Sequence, residues 1–527
     1  MNAPLHNILR QHAAHSPEKA AIIWYGTTIS YRQLDSLSDA CAALLYAKGV
    51  RQGDRVALFM QNCPQYIIAH FGIQKLGAIV GPCSPLFKKH ELNYQLKDMG
   101  AKLLIAAGNL YPVVQESLQD TMVEHLILTS YEDYLPSTPT YKVPETGLRL
   151  ENAYPENLDF LSLLNRFETV LPPSIDVQMD DIALLVYTSG TTGRPKGAML
   201  AYESVIYKTA SATAIFQLSN DDIHLVIPPL YHISGMLCGM DFPIFLGGTL
   251  VLHFRFDPLA TLESIECHKP TFWKGIAPML TSIMDLPPTR KYDLSSLKLC
   301  PATSFGITTT EALAARWLAF SGNGTVFEAG YGLTETHTFD SVMPPDAIRW
   351  RTNGRTLPGV ECEIRSNLGE NLPYGTSGEI CLRSKGNFAG YWNDREKTQS
   401  TLIDGWVKTG DIGQLDQDGY LRLLGRQKEL IKVSGYSVFP EDVEAILRNH
   451  PDIEHVGVVG LADPKKGQIV KAVIVPKEQA RDVTSESIVA WSKENMSAYK
   501  VPSIVEFREQ LPMTASGKLM RHKLYGS

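Results

Sequence analysis

An apolar run that opens into a loop of glycines and hydroxyl residues constrains this 527-residue chain more than any other feature. Residues 182–186 (Ile-Ala-Leu-Leu-Val) predict a buried strand, and residues 187–197 (Tyr-Thr-Ser-Gly-Thr-Thr-Gly-Arg-Pro-Lys-Gly) follow it directly. Glycine lets backbone N–H groups approach an anion, hydroxyls donate hydrogen bonds, and lysine adds charge. The segment therefore predicts a phosphate-binding loop. It is not a P-loop NTPase motif, because Pro195 stands where that motif needs its second glycine.

Strand and helix patterns alternate on both sides of this loop. Apolar runs predict strands at residues 54–60, 77–82 and 102–107 before the loop, and at 223–229 after it. Helical spacing of apolar residues predicts helices at residues 5–18, 30–46 and 65–76. This alternation is typical of a parallel α/β sheet, and the length of the chain calls for several structural units.

The net charge and the cysteine spacing argue against several classes of function. A net charge of −7 argues against nucleic acid as a partner, since nucleic-acid-binding surfaces are usually basic. The eight cysteines form no Cys-x-x-Cys pair, which argues against a zinc site or a dithiol, and their scatter fits reduced thiols in the cytoplasm. We read no signal peptide at the start of the sequence and no apolar run of transmembrane length.

Four later segments carry residues suited to nucleotide chemistry. Residues 229–236 place a histidine in an apolar setting, and residues 330–335 (Gly-Tyr-Gly-Leu-Thr-Glu) set a tyrosine between glycines where its ring can lie against a base. A glutamate follows, and a hard carboxylate oxygen suits Mg²⁺. Residues 406–411 end in Asp411, which can grip a ribose diol as carboxylates do in dinucleotide sites. Residues 512–518 end in Lys518.

The loop sequence Thr-Ser-Gly-Thr-Thr-Gly-x-Pro-Lys-Gly resembles the AMP-binding signature of the adenylate-forming enzymes, a superfamily of acyl-CoA synthetases, peptide-synthetase adenylation domains and luciferases. The resemblance extends from about residue 30 to residue 521, with the motifs in the family's order. It implies an α/β fold with a large N-terminal domain of stacked α/β sheets and a small barrel-like subdomain, residues 1–426. A small, mobile α+β C-terminal domain, residues 427–527, would follow and rotate between two half-reactions.

The resemblance also implies a reaction. An acyl-CoA synthetase of the fatty-acid ligase type uses ATP and Mg²⁺ to convert a carboxylic acid to an acyl-adenylate. It then transfers the acyl group to coenzyme A, releasing AMP and pyrophosphate. Apolar residues near the histidine motif favour a medium-chain, fatty or cyclic hydrophobic acid. The partners are therefore small molecules, and a homodimer is left open.

Site residues follow from the matching motif positions. The implied catalytic residues are Lys518, Glu335, Thr188 and His232. The implied ATP-binding residues are Thr188, Ser189, Gly190, Thr191, Thr192, Gly193, Lys196, Tyr331, Gly332, Thr334, Asp411 and Arg426. The acid would contact His232, Met236, Ile276, Ala329 and Gly330, with Leu237 nearby. Coenzyme A would pass Gly435 and Tyr436, Lys428 would be the hinge, and Glu335 with Thr192 would hold Mg²⁺.

The sequence departs from the family pattern at three places. Residues 303–306 (Thr-Ser-Phe-Gly) replace a Gly-Gly-Ala-Pro-like segment, Ala329 stands where glutamine is common, and Ser437 stands where many aryl-CoA ligases have glutamine. Ala329 could enlarge the acyl pocket.

Two other functions compete with the leading one. A stand-alone adenylation enzyme would load a carrier protein, but no Leu-Gly-Gly-x-Ser motif is present and no aspartate for an amino-acid substrate can be identified. A non-catalytic AMP-binding sensor would be expected to lack Lys518 or Glu335, and both are present.

Overall fold

The computed structural model describes residues 3–144, 154–188, 195–287, 290–304, 307–433, 436–463, 466–480, 483–496, 498–514 and 518–525. Most of the phosphate loop, residues 189–194, lies outside these ranges, as does Gly435. None of the helices in the described ranges is long and apolar enough to cross a membrane.

A seven-stranded sheet carries the phosphate loop. Its strands, in spatial order, are Gly390–Tyr391, Lys196–Ala201, Ile182–Thr188, Ile79–Cys83, Arg55–Phe59, Leu103–Ala107 and His125–Thr129. The five strands from Ile182–Thr188 to His125–Thr129 are parallel, as predicted, while the two at the other edge are antiparallel to their neighbours. The loop therefore joins two adjacent antiparallel strands, and Lys196 begins the second of them.

A second sheet lies on the same hydrophobic core. Four of its strands are Thr27–Ser30, Ala20–Trp24, Thr249–Leu252 and Ile223–Val226, in that spatial order. Single bridges at Phe272 connect these to three parallel strands, Gly275–Ile276, Leu299–Thr303 and Thr325–Glu328. One continuous cluster of buried side chains includes Trp24 and Leu252 of this sheet and Val56 and Leu184 of the first sheet. The two sheets are thus stacked, as the resemblance implied.

Helices cover and separate these sheets. In the N-terminal part they are Leu5–His15, Tyr31–Ala47, Pro64–Lys75, Lys89–Met99, Tyr111–Ser117, Phe160–Asn165, Tyr202–Ile215, Ile233–Met236, Phe242–Leu246, Pro258–His268, Ala277–Met284, Glu311–Ser321 and Arg395–Thr401. A π-helical turn, Leu237–Asp241, joins two of them. Every residue of Pro64–Lys75 is buried. Its side chains reach both sheets, since Gln65 donates to Ser130 O and the Tyr66 hydroxyl donates to Leu230 O.

Two small antiparallel sheets occupy the place expected for the barrel-like subdomain. One contains Glu361–Arg365, Gly378–Arg383, Leu402–Ile403, Trp406–Leu415 and Leu421–Arg426, and the other contains Gly330–Tyr331, Ser341–Val342 and Arg355–Thr356. The family motifs at Tyr331, Asp411 and Arg426 therefore all lie on strands of this region.

The C-terminal part is an α+β unit with its own core, as predicted. Its sheet contains Tyr436–Val438, Ile431–Val433, Gly467–Pro476, Ile453–Asp463 and Ile504–Phe507, and its helices are Pro440–Leu447 and Ser485–Asn495. Val443, Val458 and Ile474 belong to a hydrophobic cluster separate from those of the N-terminal part. Strand pairing changes from one sheet to the other between Arg426 and Ile431, across the turn Gln427–Glu429. The predicted boundary at 426/427 falls in this interval.

Candidate active site

Asp411 is the centre of a buried polar cluster built by two small sheets. It pairs with Arg426 across adjacent antiparallel strands, and only 4% of its surface is exposed. Its Oδ1 is 2.7 Å from Arg426 Nε, and its Oδ2 accepts a 2.7 Å hydrogen bond from the Tyr331 hydroxyl. Burial raises the pKa of Asp411, while the charges of Arg426 and Lys518 and the Tyr331 hydrogen bond act in the opposite direction. The carboxylate is therefore held in one orientation beside the Tyr331 ring.

A tight backbone reversal follows Tyr331. A Cβ on Gly332 would lie 2.3 Å from the Phe339 nitrogen, so only glycine allows the two segments to approach this closely. Three consecutive residues, His337, Thr338 and Phe339, have positive φ of 57°, 54° and 46°. Left-handed backbone in residues other than glycine is strained and persists only where the surroundings enforce it.

A buried ion pair holds this reversal. Lys208 Nζ lies 2.6 Å from Asp340 Oδ1, both side chains are fully buried, and Lys208 also donates to Phe339 O at 3.2 Å. The Thr336 hydroxyl donates to the other Asp340 oxygen. The pair thus braces the backbone on the C-terminal side of Glu335.

Glu335 faces a second set of polar groups. Its Oε1 accepts a 2.7 Å hydrogen bond from the Tyr391 hydroxyl, and its backbone oxygen accepts from Phe388 N at 2.8 Å. Lys196 Nζ is 5.0 Å from the centroid of the Tyr391 ring. Desolvation lowers the pKa of Lys196, with Glu335 acting in the opposite direction. Tyr391 therefore lies next to both Lys196, which follows the phosphate loop, and Glu335, the predicted Mg²⁺ ligand.

Lys518 joins the N-terminal motifs from the end of the chain. Its backbone is bonded to Thr514: Lys518 N donates to Thr514 Oγ1 at 2.9 Å, and Thr514 N donates to Lys518 O at 2.6 Å. The residue as a whole is exposed, but its ammonium lies among charged groups of the site. Desolvation lowers the pKa of Lys518, Arg426 acts in the same direction, and Asp411 and Glu335 oppose it. The charge of this terminal lysine therefore acts on residues of the polar cluster.

His232 is the N-cap of the helix Ile233–Met236. Its Nδ1 accepts the backbone N–H of Ser234 at 3.3 Å. Desolvation lowers the pKa of His232 to about 3, and the charges of Lys518 and Lys274 act in the same direction. The imidazole is therefore neutral at ordinary pH, and the acceptor role of Nδ1 assigns its proton to Nε2.

Family models match both parts of the chain. A model described as AMP-binding enzyme matches residues 9–392, and one described as AMP-binding enzyme C-terminal domain matches residues 442–518. The chain belongs to the AMP-binding enzyme family. It is an acid–thiol ligase that activates a carboxylic acid with ATP and transfers the acyl group to coenzyme A.

Relatives of this ligase match over nearly their whole length. A long-chain-fatty-acid–CoA ligase of Bacillus subtilis (strain 168) is 34% identical, covering 99% of this chain and 94% of the relative. A feruloyl-CoA synthase of an Amycolatopsis species is 33% identical, covering 97% and 96%. Among solved structures, an anthranilate CoA ligase in complex with anthranoyl-AMP superposes with a TM-score of 0.86 at 28% identity, covering 99% and 96%.

The structure gathers most of the predicted nucleotide residues of the ligase. Tyr331, Asp411, Arg426, Glu335, Lys196 and Lys518 interact as described, Gly332 and Thr334 lie in the reversal, and Thr188 ends its strand opposite Lys196. The predicted contacts of Ser189, Gly190, Thr191, Thr192 and Gly193 fall outside the described residues. So do those of Gly435, of the Tyr436 side chain and of Phe305 in the departing segment. Lys428 lies on the exposed turn Gln427–Glu429.

The predicted acyl residues do not form a single group. Ala329 and Leu237 are fully buried in one hydrophobic cluster, whereas Met236 packs in the main core between the two large sheets. Ile276 ends a short strand paired with Thr303, and Gly330 pairs with Val342. A Cβ on Gly235 would lie 2.1 Å from Pro229 O, which explains the glycine of the histidine motif.

Several residues of the site were not predicted. Tyr391, Lys208 and Asp340 reach it from distant elements, and buried Lys274 and Glu328 lie beside it. The aromatic pair Tyr391-Trp392 is only a weak sequence indication of a functional site, because aromatic pairs next to glycine are more often core residues. No local pattern distinguishes Lys208 from a surface lysine.

Proposed function

We propose that this ligase activates a medium-chain, fatty or cyclic hydrophobic acid, using residues that converge from both parts of the chain. The observation that carries the proposal is the buried cluster in which Asp411 is bonded to Arg426 and Tyr331, with the charge of Lys518 from the C-terminal part acting on Asp411. By their names, relatives of the chain act on long-chain fatty acids and on the aromatic acid ferulate. Buried Ala329 and Leu237 support an apolar wall for such an acid.

The Asp411 cluster is proposed to bind the nucleoside. Asp411 would accept the ribose hydroxyls, since a carboxylate oxygen bonded to Tyr331 or Arg426 keeps a second lone pair. The Tyr331 ring would lie against the adenine. Arg426 would hold the carboxylate in place and add positive charge near the α-phosphate. Thr188 and the loop residues 189–193 would cradle the phosphates together with Gly332, Thr334 and Lys196.

Charge neutralisation is the main task of the first step, because an acid carboxylate must approach a polyanion. Lys518 would stabilise the charge that builds between the carboxylate and the α-phosphate. His232, neutral with its proton on Nε2, would donate that proton's hydrogen bond to the carboxylate and orient it for attack.

Glu335 fits a magnesium site of the kind that uses few protein ligands. Mg²⁺ is commonly held by one or two carboxylates with substrate phosphates and water. Glu335 has one oxygen bonded to Tyr391 and the other without a described partner, so it can supply one ligand; Thr192 would supply a hydroxyl. When bound, the ion would neutralise phosphate charge. In the described residues no group of three or more His, Cys, Asp or Glu side chains could hold a metal ion by itself.

The second half-reaction is proposed to need a different arrangement of the C-terminal part. Residues 427–527 would rotate about Lys428, moving Lys518 away and bringing Gly435 and Tyr436 toward the thiol of coenzyme A. The change of sheet between Arg426 and Ile431 and the separate core of the C-terminal part support a pivot at this place.

A cytoplasmic location belongs to the same proposal. All eight cysteines are free thiols, which suits a reducing compartment. A homodimer stays an open expectation, and light scattering of the purified chain would decide it.

Separated half-reactions test the proposed roles. Lys518→Ala should abolish acyl-adenylate formation from acid and ATP while leaving conversion of supplied acyl-adenylate and coenzyme A largely intact. Lys428→Pro should allow one round of adenylate formation and then stall, because proline restricts the pivot. Lys523→Ala, another lysine of the terminal segment, is the matched control and should leave both steps unchanged. ADP as a product, or equal slowing of both steps by Lys518→Ala, would contradict the proposal.

A further inference from the structure

Lys274 is a buried lysine to which the reaction assigns no role. It immediately precedes the strand Gly275–Ile276 and is only 6% exposed. It makes no hydrogen bond or ion pair with any residue that the structure describes. Its electrostatic neighbours are Cys238, Glu328 and His232. The Nζ itself is not among the fully enclosed polar atoms that lack a partner, so the ammonium faces a space that a small polar group can enter. A largely desolvated ammonium is unfavourable unless such a group replaces its water.

The strand register puts Lys274 at the ligand-binding edge of its sheet. Gly275, Ala302 and Glu328 form a row of paired residues across three parallel strands. All three strands end within a few residues of this row. Ligands of open α/β sheets bind at the carboxyl ends of parallel strands. Ala329, a predicted wall of the acyl pocket, directly follows this row and donates its N–H to Ala302 O at 3.0 Å.

The electrostatic neighbours of His232 include lysines from both parts of the chain. Lys518 interacts electrostatically with Arg426, Asp411 and Glu335, whereas Lys274 interacts with Cys238 and Glu328. His232 interacts with both lysines. Cys238 belongs to the π-helical turn Leu237–Asp241, next to the wall residue Leu237. Lys274 is therefore on the acyl side of the site.

Glu328 does not satisfy Lys274 by contact. Its carboxylate accepts the Ser304 N–H at 3.3 and 3.2 Å and the Ser304 hydroxyl, and it forms no ion pair within 4.0 Å of Lys274. Burial raises the pKa of Glu328 to about 7, with Ser304 and Lys274 acting in the opposite direction. The carboxylate is thus committed to Ser304, and the Lys274 ammonium keeps its hydrogen-bond donors for another group.

We infer that Lys274 determines specificity by donating a hydrogen bond to an oxygen on the non-reacting end of the acid. The inference rests on the proposed function and narrows it from hydrophobic acids in general to those that carry a hydroxyl or a second carboxylate. A pocket that hydrogen-bonds a substrate group discriminates strongly against analogues without it, because the pocket's own polar group is then left unpaired. An acid that is all hydrocarbon beyond its carboxylate would leave the Lys274 ammonium without a hydrogen-bond partner.

Matched acids test this role in the full-length enzyme. Within each set the acids share one carbon skeleton and differ only at the non-reacting end. The straight-chain sets, of several lengths, end in methyl, hydroxymethyl or carboxylate. The aromatic sets are benzoate and 3-phenylpropionate with hydrogen, hydroxyl or carboxylate on the ring. The readout is kcat/KM for pyrophosphate release with ATP, Mg²⁺ and coenzyme A. In the best set the wild type should prefer the oxygen-bearing acid by about tenfold or more, as expected for a hydrogen bond to a charged donor. A preference for the hydroxyl acid would show that Lys274 binds an alcohol oxygen, and a preference for the dicarboxylic acid would show that it binds a carboxylate oxygen.

Lys274→Met should reduce that preference to within about twofold and improve use of the hydrocarbon acid, because an unpaired charge has been removed. Lys274→Gln, a neutral donor, should keep part of a hydroxyl preference and lose a carboxylate preference. Lys298→Met, an exposed lysine preceding the neighbouring strand, is the control and should match the wild type.

A wild-type preference for the hydrocarbon in every set, or an unchanged preference in both Lys274 variants, would overturn the inference while leaving the ligase activity in place. Failure of every acid to release pyrophosphate would instead overturn the proposed acid class, and this inference with it.

Discussion

Replacing Lys208 with methionine tests whether a buried ion pair holds the Glu335 segment in its strained form. Lys208 and Asp340 are both fully buried, 2.6 Å apart, and enclosed by the reversal of residues 332–340. Methionine fills nearly the same volume but leaves Asp340 with only the Thr336 hydroxyl. Removing one partner of a buried pair destabilises a protein by about 3–5 kcal/mol, since the other charge stays uncompensated.

The expected thermal shift follows from the size of the unit. At about 2.1 cal/mol/K per residue, a cooperative unit of about 420 residues has an unfolding entropy near 0.9 kcal/mol/K, so a loss of about 4 kcal/mol lowers Tm by about 4–5 °C. Adenylate formation should weaken as well, because Glu335 directly precedes Thr336. Thermal unfolding followed by circular dichroism, with pyrophosphate release as the activity readout, measures both.

Two further variants separate the pair from its surroundings. Lys208→Met combined with Asp340→Asn removes both charges and should recover most of the lost stability. Lys385→Met breaks an exposed pair with Glu203 on the same helix as Lys208 and should change stability by less than about 1 kcal/mol. The reasoning is refuted if Lys208→Met unfolds within about 1 °C of the parent, or if the double variant is no more stable than the single one.

Three other predictions concern the nucleotide, the acid and acidic pH. Asp411→Ala should raise the KM for ATP by about tenfold to a hundredfold, because it removes charge-assisted hydrogen bonds worth about 1.5–3 kcal/mol each; an unchanged KM would argue against the ribose role. Ala329→Val adds volume at a fully buried pocket wall and should shorten the longest acid accepted, which a chain-length series of kcat/KM measures; an identical profile would exclude Ala329 from the pocket. Burial lowers the folded-state pKa of five buried histidines to about 3 or 4. The stability that these neutral histidines contribute is therefore present above pH 6.5 and is lost as pH falls, by about 1.4 kcal/mol per pH unit for each histidine. Glu328 and Glu441, whose pKa values are raised to about 7, and buried Asp241, whose pKa is raised well above its usual value, act in the opposite direction, and these three are fewer than the five histidines. Tm should therefore fall between pH 6.5 and 5, and a constant Tm would contradict this balance. The five histidines whose pKa is lowered by burial are His6, His70, His224, His253 and His337.

Local patterns predicted the secondary structure well where the cause of an element is itself local. The helix expected at 30–46 is Tyr31–Ala47, and it begins with a capping box in which Ser30 and Gln33 bond each other's backbone N–H groups. The strand expected at 54–60 is Arg55–Phe59. The first helix was predicted too long: it ends at His15, where the chain turns toward the strand Ala20–Trp24.

The site was predictable only in part, for a physical reason. Motif positions identified Tyr331, Asp411 and Arg426, whose contacts the structure describes. Tyr391 and Lys274 escaped prediction because their positions depend on the register of strands far apart in the sequence. The apolar acyl pocket expected from Met236 and Ala329 stays a prediction, and these two residues belong to different hydrophobic clusters.

The helix Pro64–Lys75 has a consequence for how the N-terminal part folds. Because all twelve of its residues are buried, the helix has no solvent-facing side and cannot rest on one sheet alone. Its bonds to Ser130 and Leu230 tie it to segments that follow strands of the first and second sheets respectively. The two sheets are therefore expected to gain and lose their structure as one cooperative unit. During synthesis, this helix would have to wait, partly uncovered, until at least residue 252 of the second sheet has emerged, which makes it a natural site for chaperone contact.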